Sequence, residues 1–147
     1  MPAPKVSIII SDLNAFVEKT MVALALQVIA NLVAAPTKGG TPVDTGWARA
    51  NWAPNIGTPL TAVIGERPKK TAGTGRKRDK KGKFVGGAGG DPSVLLTYRL
   101  GQGPIFITNN VPYIKFLNEG SSKQAPAGFI QAAVARATKQ VKKGGSK

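Results

Sequence analysis

Asp44-Thr45-Gly46 is the one triplet in this chain with a familiar reactive shape. Its chemistry would be peptide hydrolysis by two carboxylates sharing one proton, the second brought by another copy of the chain. The remaining acids, Asp12, Glu18, Glu66, Asp79, Asp91 and Glu119, are scattered. Nothing in their spacing proposes a metal cage or an acid/base pair. Histidine and cysteine are both absent. That removes the commonest general base, the commonest metal ligand, any thiol nucleophile and any disulfide. No catalytic residue, metal or cofactor is assigned.

The flanks of the triplet argue against proteolysis. In aspartic proteases it ends an apolar strand and leads through a small residue into another. Here Pro42 stands before it, and Trp47-Ala48-Arg49-Ala50 after it looks helical. The plainer reading is an Asp/Thr turn that caps a short helix. The runs Gly73-Thr74-Gly75-Arg76-Lys77 and Gly86-Gly87-Ala88-Gly89-Gly90 are not phosphate cradles. Neither fits G-x-x-x-x-G-K-[ST] nor sits between a strand and a helix, so both read as flexible linker.

Charge is the strongest signal. The 147 residues hold 21 Lys plus Arg against 7 Asp plus Glu, a formal +14. Anionic partners are implied: nucleic acid, a membrane surface or acidic protein faces. Nine cations fall in the seventeen residues from Arg67 to Lys83, among them Lys69, Lys70, Arg76, Lys77, Arg78, Lys80, Lys81 and Lys83. Three readings stand: a solvated loop, contact with DNA phosphates, or docking onto an acidic protein surface. Phosphate contact alone would depend steeply on salt. Few aromatics interleave the cluster, which disfavours a single-strand stacking platform.

The elements that would position these groups fit one domain, residues 1–147. Val6–Ile10 is β-branched and reads as a short strand. Ser11 or Asp12 then caps a helix that stops before Pro36. Leu13, Phe16, Val17, Leu24, Val28 and Leu32 recur at helical spacing. Val22, Leu26, Ile29 and Val33 add a second apolar face, leaving a narrow polar strip at Gln27 and Asn31. A small sheet covers one face. The other is left for a two-sided internal core or a neighbouring copy.

A helical turn anchored by Trp47 is expected after Gly46, and a strand at Leu60–Ile64. Residues 66–92 read as a basic, Gly-rich insertion, mobile or a weakly ordered hairpin. Asp91 or Ser93 caps a short helix through Leu100, and Ile105–Thr108 is a strand. Pro126 opens a last helix with Phe129, Ile130, Ala133, Val134, Ala137 and Val141 on its apolar face. Residues 144–147 read as a flexible tail. The start of the chain shows no signal-peptide pattern, and the apolar run Met21–Ala35 falls short of the ~20 residues a membrane span needs. The expectation is a soluble protein, intracellular when made, without a membrane partner.

Two segments resemble one family. Thr41-Pro42-Val43-Asp44-Thr45-Gly46-Trp47-Ala48-Arg49-Ala50-Asn51-Trp52 is similar to the P-V-D-T-G-x-x-R-x-x-W segment of phage tail-completion and neck proteins. Ile107–Tyr113 with Leu117–Phe129 resembles the second hallmark of that group, the minor tail and head–tail connector proteins of long-tailed phages, including the lambda-type tail-completion protein. The resemblance covers about a quarter of the chain and leaves out the 66–92 insertion.

It implies an α+β fold: a long N-terminal helix on a small, mainly antiparallel sheet, then a C-terminal helix. It implies a homo-oligomer, a sixfold ring at the head-proximal end of the tail, and no catalysis. Implied partners are the tail tube protein, the tail terminator and the head–tail connector or stopper proteins, with genomic DNA in the lumen if the basic loop faces it. The subunit-interface candidates are Trp47, Arg49, Trp52, Tyr113, Phe116, Leu117, Glu119, Gln124 and Phe129. The aromatic ones read equally as core. The alternative class is a free basic DNA-binding protein acting in genome packaging.

Overall fold

The computed structural model describes residues 3–43, 46–64 and 91–144, with side chains from residue 9 onward. Asp44, Thr45, the Arg67–Lys83 cluster and the tail after Gly144 lie outside the described residues. The architecture is α+β, built from helices and one two-stranded antiparallel sheet.

Helix α1 runs from Ala3 to Val33, 31 residues, roughly 46 Å at the usual rise. The strand expected at Val6–Ile10 is therefore helix, and Ser11 and Asp12 sit inside it rather than cap it. Among the described residues no strand lies beside this segment. A helix satisfies its backbone groups internally, and each added residue contributes a bond once the ladder exists. Pro4 falls in the first turn, where its missing N–H costs nothing.

The far end of α1 stops as expected before Pro36. The carbonyl of Leu32 accepts both the amide (2.9 Å) and the hydroxyl (2.7 Å) of Thr41. A 3-10 turn, Pro36–Lys38, reverses the chain through Gly39 at φ 80°. Helix α2, Trp47–Ala50, follows Gly46, whose φ of 83° starts the turn without a side-chain cap.

Strand β1, Ala53–Ile56, pairs with β2, Ile105–Thr108, from Ala53 opposite Thr108 to Ile56 opposite Ile105. Strand β2 stands where the alternation put it; β1 was not anticipated because it contains Pro54. In a two-stranded ribbon each strand has an open edge that tolerates the missing donor. Leu60–Ile64, expected as a strand, has no ladder. Side chains satisfy it instead: Asn110 Nδ2 donates to the Leu60 and Ala62 carbonyls at 2.9 and 3.1 Å.

A 3-10 helix, Pro92–Thr97, takes the place of the helix expected through Leu100. Asp91 caps it, accepting from the Ser93 hydroxyl and amide, and these bonds lower the carboxyl pKa below its usual value. The cap is therefore present at neutral pH and is lost as pH falls through that lowered pKa.

Helix α3 is Ile114–Asn118 and α4 is Phe129–Gly144. Pro126 lies before α4 rather than in its first turn. Asn118 does the starting: its carbonyl accepts the Gly128 amide at 2.7 Å and its side chain accepts the Ile130 amide at 3.0 Å. Phe129, Ala133 and Ala137 are buried at i, i+4, i+8. The two alanines let α1 approach α4 closely, and Val28 and Leu32 fill the seam with Trp52. On the other side of α1, Ala25 and Ile29 pack on Leu95.

The polar strip of α1 faces this seam and not solvent. Asn31 is buried; its Nδ2 donates to the Ala133 carbonyl (3.0 Å) and to Gln140 Oε1 (2.9 Å), while Gln27 donates to its Oδ1. Asn31→Ala is expected to lower stability by about 1–2 kcal/mol in urea denaturation, because the bridge is lost while Gln27 and Gln140 can still reach water.

Candidate functional site

The two hallmark segments fold against each other. Gln124, though mostly exposed as a residue, clamps Val43, accepting its amide at 2.8 Å and donating to its carbonyl at 2.9 Å. Asn109 Nδ2 donates to the Ala48 carbonyl at 2.7 Å. Trp47 and Tyr113 meet with ring centroids 6.1 Å apart. Trp47, Ala48 and Val111 form a buried cluster on which Tyr113, Ile114 and Leu117 pack. The spacing of these residues thus encodes one local unit, stapled by amides.

That unit sorts the interface candidates. Trp47, Trp52 and Phe129 are buried in the chain's own core. Trp52 Nε1 donates to Thr41 Oγ1 at 2.8 Å, and Trp47 Nε1 to the Ile64 carbonyl at 3.3 Å. Their indole donors are satisfied inside the fold, so these three are structural anchors rather than surface groups. Arg49, Tyr113 and Leu117 are half-buried. Glu119 is exposed one turn from Lys115, with 3.9 Å between Oε1 and Nζ, a spacing worth little in water. Phe116 is 60% exposed beside them.

Three features escaped the sequence reading. Asn51 is the first. It is buried, donates to the Trp47 and Ile64 carbonyls, and accepts the Ile64 amide, so it holds Leu60–Ile64 against α2. Asparagine after a helical turn was the only available signal.

The second is the near half of α1. Ile9, Ile10, Leu13 and Phe16 are each more than half exposed, although Leu13 and Phe16 share the helical spacing of buried Val28 and Leu32. Among the described residues, no core cluster reaches below Val22. Within α1, the 25 residues Ile9–Val33 hold an 18-residue window of mean hydropathy 1.5, long and apolar enough to cross a membrane, where the run Met21–Ala35 alone falls short. Its second half is packed into the domain.

The third is a groove of about 400 Å3 between α1 (Leu24, Val28), the ribbon (Ile105, Ile107) and α4 (Ile130, Val134). Met21 and Trp52 also line it, and every lining residue is apolar. Such a surface can bury an apolar partner. Among the described residues no three acids gather where they could hold a metal. Comparison with known protein families, characterised proteins and solved structures found no match.

Proposed function

We propose that this chain is a structural virion protein of a long-tailed phage, at the head-proximal end of the tail. It acts there in tail completion or as a neck connector, in a ring that caps the tail tube and joins it to the head. One observation carries the reading: a contiguous apolar stripe, Ile9, Ile10, Leu13 and Phe16, stands clear of the domain on a rigid helix. Four such side chains amount to on the order of 400 Å2 of exposed apolar surface, the scale of an interaction site rather than a chance exposure. The close packing of the two hallmark segments supports the same reading, since they act as one folded unit. An excess of fourteen positive charges suits a subunit set among acidic neighbours or around DNA.

Purified phage particles test it. The polypeptide is expected in the virion, at the neck by immunogold labelling, and the isolated protein is expected to form rings in negative stain. Particles without it would overturn the proposal. So would a soluble monomer binding duplex DNA with a steep salt dependence and no part in the particle, the outcome that the genome-packaging reading requires.

A further inference from the structure

We propose that the near half of α1 in one copy lies in the apolar groove of the next copy, so that subunits join head to tail. This rests on the assembly reading above and names its contact. The stripe Ile9, Leu13 and Phe16 falls on one helical face at i, i+4, i+7, with Ile10 beside it. The side chains that line the groove are all apolar. Each surface is what the other lacks.

Among the described residues nothing covers the stripe, and it cannot reach the groove of its own chain. Stripe and groove wall belong to one continuous helix, and Leu13 stands about 22 Å along the axis from Val28. The helix does not bend back: its ladder runs unbroken from Ala3 to Val33. The last described bond from the domain to the near half is Leu100 N to Glu18 Oε1, 2.9 Å. Beyond it the stripe projects away. Two different surfaces that meet only between copies make a heterologous contact, and such a contact closes into a ring or runs on as a filament.

A second copy is the occupant because one chain carries both surfaces, and charge permits it. Residues 1–20 hold two cations, Lys5 and Lys19, and two acids, Asp12 and Glu18, for a net charge of zero. The remaining 127 residues hold 19 cations and 5 acids, so the whole +14 lies there. Two domains of like charge repel at close range; a neutral helix reaches a basic neighbour without that penalty. Insertion across a membrane fits less well, because Ser11, Asp12 and Asn14 break the apolar run along the chain and Leu24, Val28 and Leu32 pack in the domain.

The test uses two exposed positions, Phe16 on the stripe and Val134 at the groove. Phe16→Asp and Val134→Asp are each expected to weaken association at least about hundredfold by analytical ultracentrifugation. Mixed together they are expected to give a dimer and nothing larger, because one supplies an intact groove and the other an intact stripe. Recovery of that dimer also shows that both variants are folded. A second measurement uses the absence of cysteine: Phe16→Cys mixed with Val134→Cys is expected to form a disulfide between copies. Wild-type oligomers indifferent to both aspartates would overturn this contact and leave the ring standing. Oligomers lost in Phe16→Asp, kept in Val134→Asp and not restored by mixing would mean stripe-to-stripe pairing and would also overturn it. A wild-type monomer at all concentrations, including one that binds phosphatidylglycerol vesicles through the stripe, would overturn both the contact and the ring.

Discussion

Gly40→Ala is expected to cost at least about 3 kcal/mol and to lower the thermal midpoint well beyond the effect of any surface change. A Cβ at Gly40 would stand 1.9 Å from the Ala34 carbonyl oxygen and 2.6 Å from its carbon. Both atoms are backbone, at the end of α1, and no rotamer change moves them. The loop would have to shift, and Thr41 would shift with it. Thr41 is fully buried and holds three bonds: its amide and hydroxyl on the Leu32 carbonyl, and its oxygen accepting from Trp52 Nε1. One methyl group therefore disturbs the end of α1, the hydroxyl bridge and the placement of Trp52 together. Overpacking by a single carbon ordinarily costs about 1–3 kcal/mol; the coupled bonds put this position at the upper end or above. Gly144→Ala is the control. Its Cβ would meet nothing within 4 Å, and its helical position favours alanine, so stability is expected to hold or rise by up to about 1 kcal/mol. Urea denaturation of both variants, with slopes compared, checks the pair.

The sequence shows why Gly40 is easily passed over. It sits in Thr37-Lys38-Gly39-Gly40-Thr41, a run that reads as a generic Gly/Pro loop. Gly39 is legible as the residue with positive φ that closes a 3-10 turn. Gly40 is needed for space, and space is set by the loop after α1 returning onto the helix's last turn, which no local pattern encodes. The same division runs through the fold. Elements whose backbone groups are satisfied locally were readable: most of α1, the helical turn after Gly46, the capped turn at Asp91 and most of α4. Strand β2 was readable from its β-branched residues. Elements decided by a distant partner were not. Strand β1 exists because Ile105–Thr108 is there to pair with it, and Leu60–Ile64 is irregular because asparagine side chains from positions 51 and 110 take its backbone groups.

Burial followed the same rule. Periodicity put Leu13 and Phe16 on one face with Val28 and Leu32, as helix geometry requires. It could not say that the domain ends halfway along the helix. The stripe is continuous in sequence and covered only in its second half. An apolar face with no domain beside it is a sign of a missing partner, and it emerges only when the fold is placed against the pattern.

Phe129 and Phe116 separate stability from assembly most sharply. Phe129 ends the second hallmark segment and Phe116 stands between its two parts; both are interface candidates by type. Phe129 is 1% exposed, at the junction of α1, α4 and Trp52, while Phe116 on α3 is 60% exposed. Phe129→Ala is expected to cost about 3–5 kcal/mol, because it removes a whole ring from a seam packed against Val28, Leu32 and Trp52, where its helix neighbours Ala133 and Ala137 have no atoms to fill the gap. That loss is comparable to the full stability of many small domains, so the variant is expected to populate the unfolded state at 37 °C. Phe116→Ala is expected to change stability by no more than about 0.5 kcal/mol, as its ring is largely in water. If the exposed face of α3 meets a neighbouring tail component, phage carrying Phe116→Ala will show reduced head–tail joining while the isolated protein melts like wild type. Thermal melts of both proteins, set beside a count of joined particles, decide between the roles. A Phe116→Ala protein that unfolds like Phe129→Ala would place α3 in the core, and would remove it from the assembly surface.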